Sequence, residues 1–100
     1  MGMNSFTVTV PGTATAGAPL DVTTAARNKT IYFFSGTSDT VYLETSPDGT
    51  NWARDPDLVF SGNPAPRRVS FDATRVRANR AVASSGTPTL VIVAEELEGA

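Results

Sequence analysis

Short runs of alternating apolar and polar residues, each closed by turn chemistry, recur along this chain. The first is SFTVTV (5–10), with Phe6, Val8 and Val10 on one side and Thr7 and Thr9 on the other. A repeat of two belongs to a strand with one buried face, because successive side chains leave a pleated backbone in opposite directions. Pro11-Gly12 closes the run, and small residues then form a loop up to LDVTT (20–24). Residues 25–29 read as a further turn, followed by the apolar run TIYFF (30–34). SGTSD (35–39) reads as the turn of a hairpin into TVYLETS (40–46), where Val41, Leu43 and Thr45 oppose Tyr42 and Glu44. PDGTNW (47–52) supplies a Pro-Asp-Gly turn and begins the return strand, which DPD (55–57) interrupts before LVFS (58–61). Pro and Gly have fixed places in such turns, one with φ already set and the other free to take positive φ. GNPAP (62–66) is a rigid loop; RRVSFD (67–72) alternates again, and ATRVRANRAV (73–82) sets Arg75 and Arg77 against Val76 and Ala78 before the pattern is lost at Arg80. SSGTP (84–88) turns the chain into TLVIVAEEL (89–97). No window carries a helical stripe. About eight short antiparallel strands with such punctuation predict an all-β domain, either a β-sandwich or a jelly-roll-like barrel.

The length of 100 residues fits one domain over 1–100, with 1–30 as an N-terminal strand and loop region and 98–100 as a frayed tail. Net charge is −2, which speaks against nucleic acid as a partner, since binding there draws on a basic excess. The chain has no Cys and no His. That removes the thiol nucleophile, the commonest general base and the usual soft metal ligands, so no cofactor, metal or catalytic residue is expected. The opening MGMNSF lacks the basic and apolar segments of a secretion signal, and no apolar run is long enough to cross a bilayer as a helix,. Cytoplasmic synthesis and no membrane contact are the expectation.

Four groups of residues are candidates for function. Trp52 reads first as the anchor of a hairpin whose turn is fixed by Asp48 and Asn51; the alternative is a stacking platform for a sugar formed by Trp52 with Asp48, Asn51 and Tyr42,. Asp48, Asp55 and Asp57 lack the spacing of a calcium loop and read as solvated turn residues,. Arg67, Arg68, Arg75, Arg77 and Arg80 place five of the eight basic residues within a short stretch, against Glu95, Glu96 and Glu98 near the C-terminus. The segregation fits either complementary subunit surfaces or an intramolecular ladder of charge across strands. Finally, 31–34 and 90–94 are too apolar to be open to water on one face, so either a loop covers that face or Ile31 and Phe33 meet another subunit there,. The N-terminal strand bearing Phe6, Val8 and Val10 is another, able to add to a neighbour's sheet edge.

The order of these pieces is distinctive. Ser46, Asp48, Gly49 and Trp52 follow the central strand, Val76-Arg77-Ala78 comes later, and Gly86, Thr87 and residues 89–93 close the domain. This order resembles small β-sandwich structural proteins of tailed bacteriophages, including capsid decoration or cement proteins. The resemblance implies a non-enzymatic virion component on the capsid surface that forms homo-oligomers and binds the major capsid protein. It also admits a tail or head–tail component. The Trp52 platform leaves a carbohydrate-binding or adsorption-associated module as the alternative.

Overall fold

A computed structural model describes residues 2–34, 39–62, 64–82 and 87–96. Parts of the turns expected at 35–39, 62–66 and 84–88 lie outside these residues, as do Gly86, Glu98 and the tail. The described chain forms eight strands: β1 (Met3–Val8), β2 (Leu20–Asp21), β3 (Ala25–Phe34), β4 (Thr40–Ser46), β5 (Ala53–Ser61), β6 (Arg67–Ser70), β7 (Arg75–Val82) and β8 (Thr89–Glu96). They make two four-stranded sheets, sheet A in the order β1-β8-β3-β6 and sheet B in the order β2-β7-β4-β5. Every pairing is antiparallel.

The connectivity is that of a rolled ribbon. β4 pairs β5, β3 pairs β6, β2 pairs β7 and β1 pairs β8, as in one long hairpin folded at its middle. Rolling it adds the pairs β3–β8 and β4–β7 that join each sheet. The two antiparallel sheets make the expected β-sandwich, and the order in which the strands join follows the double-sheet jelly-roll pattern,.

Alternation decides the core. Val8, Ile31, Phe33, Leu90 and Ile92 of sheet A face Val41, Leu43, Leu58, Phe60 and Val76 of sheet B, all at most a few per cent exposed. Phe33 and Phe60 meet across the layers with ring centroids 6.0 Å apart. Each such side chain contributes about 1.5–3 kcal/mol by leaving water.

Two sequence expectations change. Residues 25–29 are not a turn: β3 begins at Ala25, and its pairing with β8 is irregular between Ala25 and Lys29. Asp55-Pro56-Asp57 does not break β5. The strand runs through, with the irregularity taken up where Tyr42 pairs Val59 but Glu44 pairs Arg54. β5 lies at the edge of its sheet, where a proline costs no ladder bond,.

The loop from β1 to β2 crosses from one sheet to the other. It lies against β7, with Gly17 N donating to Ala78 O at 2.7 Å and Arg80 N to Thr15 O at 2.9 Å. Gly17 is required there by close approach, since a Cβ would stand 2.4 Å from the carbonyl oxygen of Thr9.

Candidate functional site

The outer face of sheet B is built around one carboxylate. On β7 the alternation sends Val76, Ala78 and Arg80 inward and Arg75, Arg77 and Asn79 outward. Glu44 of β4 lies directly between Arg77 on β7 and Arg54 on β5. Arg77 Nε donates to its Oε1 at 2.8 Å; Arg54 Nε and Nη2 donate to Oε2 at 3.1 and 3.0 Å. Asn79 Nδ2 adds a bond at 3.4 Å. Partial burial of Glu44 opposes its charge, but the arginines outweigh that and hold its pKa below the ordinary carboxyl range. Each guanidinium also stacks on a ring: Arg77 on Trp52 at 4.3 Å and Arg54 on Tyr42 at 4.1 Å. Further along, Arg75 pairs with Asp21 at 3.4 Å.

Trp52 therefore sits half-buried on the outer face of sheet B, packed by an arginine. Asp48 and Asn51 belong to the turn before it. Asp48 Oδ1 accepts from the amides of Asn51 and Thr50, each at 2.8 Å, and Oδ2 from Asn51 Nδ2 at 2.7 Å. These bonds to its charged form drive the Asp48 pKa well below the carboxylate range,. Ser46 Oγ accepts from the amides of Asp48 and Gly49, and Gly49 takes φ of 80°. Asp48 and Asn51 are thus spent on the turn, while Trp52 and Tyr42 share one face with part of their rings covered.

The arginine cluster does not form one surface. Arg75 and Arg77 do share an outward face, but Arg80 has the inward parity of Val76 and Ala78. Arg80 is 2% exposed, bonded to the fully buried Asp39 and, through Nη1, to Pro11 O at 2.9 Å. Arg67 reaches from β6 to sheet B, donating to the carbonyls of Asp57 and Val59 at 2.7 and 3.1 Å over the Phe60 ring. Only Arg68 points outward from sheet A, in register with Thr30. Arg80, Val8, Ile31 and Phe33 are consequently core and not contact surface. Phe6 and Val10 pack against that core, partly buried. Glu95 and Glu96 are exposed, with Glu96 accepting from Asn4 Nδ2 at 3.5 Å.

The outer face of sheet A differs in kind. Its middle carries Val93 opposite Thr30, Val91 opposite Tyr32 and Thr89 opposite Phe34. Tyr32 and Phe34 stack at 6.3 Å, and Met3 and Phe34 are 69% and 56% exposed. Arg68, beside Thr30 on β6, and Glu95, just beyond Val93 on β8, stand at one end of this row and line one groove of about 570 Å³ with Met3 and Val93. Neither makes an ion pair or side-chain hydrogen bond with any described residue. Ile31 and Phe33, expected from the sequence at an interface, face the core instead, and Tyr32 and Phe34 are the outward residues. Asn28 and Thr30 on β3, and Thr89 and Glu95 on β8, share the outward parity and mark it in the sequence.

A second buried cation, Lys29, is 4% exposed and donates to the carbonyls of Phe71 and Arg27 at 2.7 and 3.1 Å. Desolvation lowers its pKa. Among the described residues no three His, Cys, Asp or Glu side chains come together as a metal site would need. No protein-family model, curated protein or solved structure matches this chain.

Proposed function

We propose that this chain is a non-enzymatic structural protein of a tailed-phage virion, a capsid decoration or cement protein that stabilises the head through subunit contacts. The observation that carries the reading is the contrast between the two outer faces. Sheet B is closed by ion pairs and cation–π stacks. Sheet A leaves Met3, Tyr32, Phe34, Val91 and Val93 on an unpartnered face. Exposed apolar patches of this kind mark contact surfaces. The order of Ser46, Asp48, Gly49 and Trp52 before Val76-Arg77-Ala78 and the closing apolar strand supports the virion assignment by resemblance. Jelly rolls occur in viral capsid domains, and also in lectins, so the fold supports it by analogy alone.

Co-sedimentation with phage heads that lack their decoration protein tests the reading. The wild-type protein should bind at a saturable ratio, and Val93→Asp should lose at least tenfold in affinity while keeping its fold. Absence of binding to any such shell, or undiminished binding by Val93→Asp, would overturn it.

A second reading, sugar binding on sheet B, draws on Trp52 and Tyr42 sharing that face. A glycan that binds wild type but not Trp52→Ala would favour it.

A further inference from the structure

We infer that the outer face of sheet A is occupied by a second copy of this chain, related by a two-fold axis that sets Arg68 of one copy against Glu95 of the other. The inference rests on the reading of that face as a contact surface and names what covers it.

Every other cation among the described residues already has a protein partner. Arg27 has Asp72, Arg54 and Arg77 share Glu44, Arg75 has Asp21 and Arg80 has Asp39. Arg67 and Lys29 are held by backbone carbonyls. Arg68 is the exception, and it stands on the apolar face. Its counterpart, Glu95, is a carboxylate in the same condition on the same groove.

The arrangement favours self-pairing over a different partner. A two-fold interface brings each residue of a pair against the other residue of that pair, twice. A face with an outward cation on β6 and an outward anion on β8 meets that condition when the axis runs between them, along the apolar row. Two ion pairs then form at the rim, and Val91, Val93 and Tyr32 pack between the sheets. Sheets stack face to face at about 10 Å, a spacing that side chains of this size fill. The net charge of −2 is too small to oppose association strongly.

The face is small for an interface. Four strands about 4.8 Å apart, and about six residues of about 3.3 Å each, span roughly 400 Å² in projection. Stable interfaces bury about 800 Å² per partner. The face falls short of a standard interface, so the dimer should be weak in free solution. It would gain from high local concentration on a shell.

Sedimentation equilibrium of the isolated protein, from about 1 μM to 1 mM, provides the test. A monomer–dimer equilibrium in that range is expected. Arg68→Glu and Glu95→Arg alone should each weaken it at least fivefold, and the exchanged double variant should return to within about threefold of wild type. Both positions are on the surface, so circular dichroism should show an intact fold in all three. A protein monomeric throughout, or single variants that dimerise like wild type, would overturn the pairing. So would a double variant no better than the singles. The result separates from the virion reading: a dimer that ignores shells supports this pairing and sinks that reading. A monomer whose shell binding depends on Val93 does the reverse.

Discussion

The ion pair of Arg80 with Asp39 is the residue on which most depends locally. Both side chains are withdrawn from water. Arg80 joins three parts of the chain: its own strand β7, Asp39 at the entry to β4 and Pro11 in the β1–β2 loop. Removing one charge of such a pair leaves the other buried without compensation, at about 3–5 kcal/mol. Asp39→Asn should lower stability by about that amount in urea titration; a loss under about 1 kcal/mol would contradict the account. Arg80 also shows a limit of sequence reading. Its arginine neighbours suggest a basic surface and an alternation lost at this position, whereas the strand runs on and Arg80 keeps the inward parity of Val76 and Ala78. What the sequence did not carry was Asp39, which lies far along the chain. Trp52 is a milder case. It is half-buried beneath Arg77, so Trp52→Ala should cost about 1–2 kcal/mol, against about 3 or more for a core tryptophan. A loss above about 3 kcal/mol on thermal unfolding would place the ring in the core after all.

At the scale of the strands, the acid response should come from sheet B and its turn. Glu44, Asp21 and Asp48 all have folded pKa values below their ordinary ones. A depressed carboxyl contributes stability above its unfolded pKa and loses it as pH falls through the folded one. Stability should thus be level near neutral pH and decline below the ordinary Glu value of 4.5. Glu44→Gln should lower the plateau and flatten part of that decline, read from denaturant midpoints between about pH 2 and 7. An unchanged slope would remove Glu44 from the account. The same scale shows why strand positions were legible and partners were not. TVYLETS announced β4 with its true facing, and SFTVTV announced the inward parity of Phe6 and Val8. TIYFF and TLVIV are apolar at both parities, so alternation alone gave no facing for them. The opposition of Glu44 to Arg54 and Arg77 arises only when β5 and β7 flank β4. Periodicity within a strand carries no information about which strand comes next to it.

The whole molecule is organised by pairing the early chain with the late chain. β1 pairs β8 from Met3↔Glu95 to Val8↔Leu90, and contacts of such long sequence separation make folding slow, from milliseconds to seconds. Refolding from urea in stopped flow should fall in that range, and a microsecond phase with full amplitude would contradict it. β8 lies between β1 and β3 and is the last strand in sequence. During synthesis, β1 and β3 must wait without their shared neighbour while the rest of the chain is made. Val91 and Val93, the middle of the apolar face, arrive on that same strand. A chain made only as far as β7 lacks the middle of that face, so the proposed pairing would have to wait until β8 is made.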